Sequence, residues 1–272
     1  MARIVPLWRS DELSLHRFDH PPEHEDRRYE MIVPAFTASF VEEGTFDLES
    51  REGRWRIAQG DVVLRHPGMR YHASFEGEGF SDTCLTLTYL AADHDRFDAG
   101  RTWARANRPV LRASNRLRYL SWGLRRALEH DAPMFIEYCA AELFREHGES
   151  KAPLFREHKF DWYAERVHAA RERLEKQFDD AHTVSELARS VNMSMFHFTR
   201  VFTELVGRPP HNYLAEARMR AARSMLLDGR GVTETCFACG FGNLSHFSRS
   251  FARRYGVTPS RVGEQEFARK RN

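Results

Sequence analysis

His197-Phe198-Thr199-Arg200-Val201-Phe202 returns about 49 residues later as His246-Phe247-Ser248-Arg249-Ser250-Phe251. Each copy runs on to a Gly-x-x-Pro, at Gly207/Pro210 and Gly256/Pro259. The pattern predicts helix, short turn, second helix, stated twice with a further helix between. Two such units in one chain fit a protein that lays two helices into DNA.

In the first copy Thr183 and Glu186 form a capping box, and Leu187, Ala188 and Val191 make the buried stripe of the first helix. Asn192 sits at the tight turn, where its side chain tolerates a left-handed backbone. Ser194 caps the second helix, with Phe198, Val201, Phe202 and Leu205 inward and Met195, Phe196, Thr199, Arg200 and Thr203 outward. In the second copy Thr233 is read as the first cap, Cys236 and Cys239 replace Ala188 and Val191, and Gly240 takes the turn. Asn243 caps the second helix, with Phe247 and Phe251 inward and Leu244, Ser245, Ser248, Arg249 and Arg253 outward. Pro209-Pro210 opens the connecting helix, which is expected to bury Tyr213, Leu214, Ala217, Ala221, Met225 and Leu226 and to end at Gly229. Its Arg218, Arg220 and Arg223 are assigned to phosphates or internal salt bridges.

Charge is divided unevenly along the 272 residues, whose formal net charge is +2. From Lys151 to Asn272 there are 21 Lys/Arg against 14 Asp/Glu, and before that 20 against 25. The basic half coincides with the repeat, which fits an anionic partner for that half. A hydrophobic content of 42% can bury cores, and the length fits two domains. No apolar run approaches the roughly 18 residues of a membrane span, and the start lacks a secretory stretch, so a cytoplasmic protein is expected.

Upstream, short strands are expected at 35–40, 45–49, 55–57, 61–65, 71–75 and 83–89, punctuated by Glu43-Gly44, Glu52-Gly53, Gln59-Gly60-Asp61 and Pro67-Gly68. They predict a small barrel or sandwich. After about Ala113 the period becomes helical. Ser114 caps a helix bearing Leu117, Leu120, Leu124 and Leu128, and Pro133 opens a second bearing Ile136, Cys139, Ala140, Leu143 and Phe144. The pair is expected to pack on the barrel or to form a dimer seam, with a linker near Gly148–Pro153.

The run Gly240-Phe241-Gly242-Asn243-Leu244-Ser245-His246-Phe247-Ser248-Arg249-Ser250-Phe251, then Tyr255-Gly256-Val257-Thr258-Pro259, resembles the signature of AraC/XylS-type transcription regulators. The resemblance covers about 100 residues from near Tyr163 to Val262. It implies seven helices carrying two helix-turn-helix motifs that read promoter DNA. Carried over by position, the base-reading side chains are Phe196, Thr199, Arg200, Leu244, Ser245, Ser248 and Arg249. The stretch Gly60–His72 resembles, more briefly, the cupin-like sensor barrel of the same family. Two departures stand out: Gly242 replaces a commonly polar residue, and Thr235 a commonly aliphatic one.

The expected fold is therefore α+β in two domains, with a cupin-like sensor barrel over 1–112, a helical pair over 113–150 and an all-α DNA-binding domain over 151–272. The expected function is a sequence-specific transcription regulator responsive to a small molecule. Phe36, Phe40, Trp55, Tyr71 and Phe75 are the candidate effector contacts, although the same side chains would equally fill a packed barrel. Expected partners are promoter DNA, a second copy of the chain, an unidentified effector and, as a further candidate, RNA polymerase. No cofactor and no metal are expected.

Two other readings compete. A metal-dependent cupin enzyme would need more ligands than His66 and His72 offer, and no nucleophile–base–acid set is evident. A thiol switch would use Cys84, Cys139 or Cys236/Cys239, yet the last pair falls on the apolar face of a helix, where cysteine acts as a small hydrophobe. His16, His20 and His24 are read as part of a solvated N-terminal arm.

Overall fold

The computed structural model describes residues 3–20, 29–74, 82–90, 109–143 and 152–262. The chain divides into two compact units, 1–156 and 157–272. The first is built on β-sheet and the second is helical among the described residues.

In the N-terminal unit, period-two patterning produces ten described strands: β1 Arg3–Arg9, β2 Leu13–His20, β3 Tyr29–Ile32, β4 Phe36–Glu43, β5 Thr45–Ser50, β6 Gly53–Ala58, β7 Val62–Arg65, β8 Arg70–Ser74, β9 Asp82–Tyr89 and β10 Val110–Leu111. A six-stranded sheet runs β1-β2-β9-β4-β7-β10, and a four-stranded sheet runs β3-β8-β5-β6. The larger sheet is covered on both faces. Val41, Val63, Cys84 and Val110 meet Phe46, Leu48, Ile57, Tyr71 and Ala73 of the smaller sheet. The alternate residues, including Leu15, Phe36, Ala38, Phe40, Leu85 and Leu87, meet two helices.

Those helices are α1 Asn115–Glu129 and α2 Pro133–Leu143. Ser114 caps α1 by accepting from the Leu117 N–H, as expected. Gly123 is where the pair touches most closely. A Cβ there would stand 2.9 Å from both Cys139 Sγ and the Phe135 ring, so no side chain fits without movement. Tyr89 Oη donates to the Ala140 carbonyl at 3.0 Å and ties α2 to the sheet.

Two expectations need correction here. The N-terminal segment is no solvated arm: β2 pairs with β9 from Leu13↔Tyr89 to His20↔Asp82, and Leu13 and Leu15 are fully buried. The Ser10 hydroxyl accepts from the Glu12 and Leu13 N–H groups and turns β1 into β2. His24 lies outside the described residues. Phe36 and Phe40 do not face the inter-sheet space either, because they point into the helix-facing core, whereas Trp55 and Tyr71 do lie between the sheets. Phe75 and Phe144 lie outside the described residues.

The C-terminal unit comprises α3 Glu157–Lys176, α4 Val184–Ser190, α5 Met195–Val206, α6 Pro210–Leu227, α7 Val232–Ala238 and α8 Leu244–Tyr255. The 18 residues of α6 span about 27 Å and serve two cores. Tyr213, fully buried, stands against Phe202, whose ring centroid is 5.8 Å away. Further along, Met219, Ala222 and Leu226 pack with Cys236, Cys239, Phe247 and Phe251. The single stripe expected from sequence is thus corrected. Ala222 and Met219 are enclosed where Ala221, Leu214 and Met225 are only partly covered, because α6 presents a different side to each core.

Candidate nucleic-acid interface

α4 and α5 are joined by a turn in which Asn192 has φ 55°, and α7 and α8 by one in which Gly240 has φ 73°. Both values lie in the left-handed region, which Asn and Gly accept at least cost. The entry to α4 is a complete capping box: Thr183 Oγ1 accepts from the Glu186 N–H and Glu186 Oε2 accepts from the Thr183 N–H, each at 3.1 Å. α5 is capped by Ser194 and α8 by Asn243 through the His197 and His246 N–H groups. The expected cap at Thr233 is corrected: Gly231 precedes α7, without a side-chain hydrogen bond, and Thr233 lies inside the helix.

Phe198, Val201, Phe202 and Leu205 of α5, and Phe247 and Phe251 of α8, have no accessible surface. The opposite faces are therefore presented outward. On α5, Phe196 is 80% exposed, Arg200 is exposed, and Thr199 is half-buried with its hydroxyl donating to the Met195 carbonyl at 2.8 Å. On α8, Leu244, Ser245 and Arg249 are exposed and Ser248 is half-buried. The spacing gathers Phe196, Thr199 and Arg200 on one side of α5, and Leu244, Ser245, Ser248 and Arg249 on one side of α8. Neither Arg200 nor Arg249 has an ion pair among the described residues, so both guanidinium groups are available to an anion or a base edge.

The connecting-helix arginines are employed internally. Arg218 donates from Nε to the Phe178 carbonyl at 2.7 Å and from Nη2 to the Asp180 carbonyl at 2.9 Å, which fastens the loop after α3. This clamp crowds Gly240, whose added Cβ would sit 2.6 Å from the Asp179 carbonyl oxygen. Arg220 pairs with Glu175, which also accepts from Tyr213 Oη, and Arg223 lies over the Tyr255 ring at 5.5 Å. Burial pushes the Tyr213 hydroxyl pKa well up.

Sequence reasoning named His197 and Tyr163 but did not foresee their contact. His197 Nε2 and Tyr163 Oη are 3.1 Å apart and their rings meet edge to face at 5.4 Å, so α3 steadies the base of α5. Burial, then the charges of Arg200 and Lys159, lowers the His197 pKa and keeps the ring neutral at pH 7. The signal was present in the repeat, since His197 and His246 occupy the same place. His246, however, is exposed and caps nothing, facing a groove of about 360 Å³ between α6 and α8 that Phe241, Met219 and Arg253 also line.

The four cysteines are free and buried. Burial raises the Cys236 pKa and, aided by neighbouring Cys236, that of Cys239 to about 11. Such groups stay as thiols at neutral pH. His72 alternates with the inward Tyr71 and Ala73, so it turns away from the inter-sheet space. Among the described residues no three His, Cys, Asp or Glu side chains are grouped to hold a metal.

Two helix pairs, each closed on its own side of α6 and each with a second helix exposing a polar, arginine-bearing face, have helix-turn-helix geometry. The pattern of the family described as "Helix-turn-helix domain" matches residues 187–265. The "HTH-type transcriptional regulator Rv1931c" of Mycobacterium tuberculosis is 42% identical over 80 residues, which are 29% of this chain and 31% of that protein. The uncharacterised HTH-type transcriptional regulator YobQ of Bacillus subtilis is 28% identical over 224 residues, covering 81% of this chain and 82% of that one. A probable AraC family transcriptional regulator from Rhodopseudomonas palustris is 26% identical with TM-score 0.36, over 38% of this chain and 97% of that structure. The match to the first three curated relatives spans 31%, 26% and 35% of their lengths. Residues 187–265 thus carry a helix-turn-helix domain similar to that of HTH-type transcriptional regulators.

Proposed function

We propose that this chain is a sequence-specific, DNA-binding transcription regulator that reads promoter DNA through two helix-turn-helix motifs, α4–α5 and α7–α8. The observation that carries the reading is the pair of outward faces on α5 and α8, each with an arginine lacking an ion pair among the described residues. Arg200 and Arg249 are the guanine readers, each able to donate two hydrogen bonds to O6 and N7. Phe196 and Leu244 supply apolar contact to thymine methyl groups, while Thr199, Ser245 and Ser248 contact bases or phosphates. The α6 span of about 27 Å is compatible with two major-groove contacts about one helical turn, roughly 34 Å, apart.

In this reading the N-terminal unit is a cupin-like sensor barrel that binds a small molecule, with Trp55 and Tyr71 among its lining residues. Pairing of two copies runs through the face of α1 and α2 turned away from the sheet, where Met134 is 83% exposed. The protein acts in the cytoplasm, has RNA polymerase as a further partner and carries no catalytic role. No described helix is long and apolar enough to cross a membrane.

The test is selection of binding sites from random duplexes, then fluorescence anisotropy with the winning sequence. The wild-type protein binds that duplex at least about 1000-fold more tightly than scrambled DNA, with affinity falling as salt rises. Arg249→Ala costs about 1–3 kcal/mol and relaxes preference at one base pair. Unchanged affinity and preference in that variant would refute the assignment of α8.

A further inference from the structure

The inner face of the larger sheet, turned toward the smaller one, changes character along its strands. Cross-strand register places His16, Thr86 and Ser39 in one row, and Ser14, Thr88, Thr37 and Arg65 in the next. The adjoining row is Phe18, Cys84 and Val41, which belongs to the apolar inter-sheet core. A sheet face enclosed in a sandwich is ordinarily apolar. Seven polar side chains gathered at one end therefore call for a partner.

Part of this cluster satisfies itself. Ser39 Oγ and Thr86 Oγ1 are 2.8 Å apart, Arg65 Nη1 donates to Ser39 Oγ at 2.7 Å, and the guanidinium lies over the Tyr71 ring at 4.9 Å. Two donors are left over. Arg65 Nε and Thr37 Oγ1 are both shielded from water and have no hydrogen-bond partner among the described residues. Thr37 and Arg65 are direct cross-strand partners of β4 and β7, so the two orphaned atoms project from neighbouring positions on the same face. Leaving either donor unmade is costly in an enclosed site. Arg65 also has no carboxylate partner among the described residues, so its charge is uncompensated there. Ser14, His16, Thr37, Arg65 and Thr88 are only half-buried, so solvent reaches other atoms of this cluster although the two orphaned donors are covered. Burial and the charge of Arg65 lower the His16 pKa, as expected where a positive field meets a partly dry site.

We infer that this end of the inter-sheet space binds the carboxylate of a small, otherwise apolar acid, held by Arg65 Nε–H and Thr37 Oγ1–H. Two donors on adjacent positions match the two oxygens of a carboxylate, and one guanidinium balances its single charge. The remainder of the acid lies toward Tyr71, Val63 and Val41. The inference rests on the sensor role proposed above and names the class of molecule sensed.

The experiment uses the full chain in thermal-shift titrations with benzoate, hexanoate, benzamide and inorganic phosphate at constant ionic strength. Either carboxylate raises the melting temperature by about 4 °C or more at saturation. Benzamide, which lacks the charge, does not, and phosphate shifts it less than the carboxylates. Arg65→Gln weakens carboxylate binding about tenfold or more. Thr37→Val, which keeps shape and removes one donor, weakens it about fivefold and decides the matter where Arg65→Gln fails to fold. No response to either carboxylate, equal responses to benzoate and benzamide, a stronger response to phosphate, or unchanged affinity in a folded variant would overturn the site. DNA binding is followed in parallel by anisotropy. Retained DNA binding with no carboxylate response defeats this inference alone, whereas a carboxylate response without any DNA binding defeats the regulator reading.

Discussion

Thr235 offers the sharpest test of how the second motif is held together. It is fully buried in α7, and its hydroxyl has no hydrogen-bond partner among the described residues. Its equivalent in α4 is Leu187, also buried and wholly apolar. An enclosed, unsatisfied hydroxyl costs about 1–3 kcal/mol. Thr235→Val replaces it with a methyl group of nearly the same shape, which removes that cost and adds roughly 0.8 kcal/mol of apolar burial. Allowing for imperfect fit of the new methyl, a gain of about 1–2 kcal/mol is expected. For a unit of this size that is a rise of about 4–8 °C in the melting of the C-terminal unit, read by calorimetry on the full chain. Thr235→Ser is the control. It keeps the hydroxyl and deletes the methyl, so it should lower the transition by about 1 kcal/mol. Neither change touches the outward face of α8, so affinity for the selected duplex should stay within about twofold. A destabilised Thr235→Val, or a Thr235→Ser variant as stable as Thr235→Val, would show that the hydroxyl is satisfied and the reasoning wrong.

Other outcomes follow from the same geometry. Gly240→Ala combines a positive φ with a Cβ 2.6 Å from a backbone oxygen, so urea denaturation should show a loss of about 3 kcal/mol or more. Cys236 and Cys239 should resist Ellman's reagent at pH 7.5 in the folded protein, and peroxide should leave DNA binding unchanged, since both are buried and held as thiols. His197 has a pKa below the ordinary histidine value of about 6.5. The unfolded chain therefore takes up the proton first, and the contribution of the neutral ring is present above that value and lost as pH falls below it. Melting scans from pH 7.5 to 5 should show this decline in the C-terminal unit, reduced in His197→Gln.

Much of the C-terminal unit was readable because its determinants are local. A capping box, a left-handed turn residue and a four-residue apolar stripe each leave a short signature, and Thr183, Asn192 and Ser194 occupy the positions read for them. Thr233 failed for a simple reason: the backbone carries α7 back to Gly231, and a hydroxyl two positions inside a helix no longer sits where a cap can act. The stripe of α6 was misread because two cores demand two sides of one helix, which no single periodicity describes. In the N-terminal unit, alternation identified the strands but not the destination of each face. The larger sheet is buried on both sides, so Phe40 and Val41 look equally inward in sequence, yet one meets helices and the other meets the smaller sheet. The β1–β2 hairpin was hidden because β1 breaks the usual alternation: Ile4 and Leu7 are exposed, its register shifts between Pro6 and Trp8, and full burial begins only at Leu13 and Leu15.

The way α6 is used has a bearing on how such a domain can be dismantled. Its first turns complete the aromatic cluster around Tyr213, and its last turns complete the cluster around Phe247. A cut anywhere along it would strip one half of its wall and leave the other with a bare greasy flank. The two halves therefore share a party wall: they are expected to melt as one unit, and neither should fold as a sound module without the other.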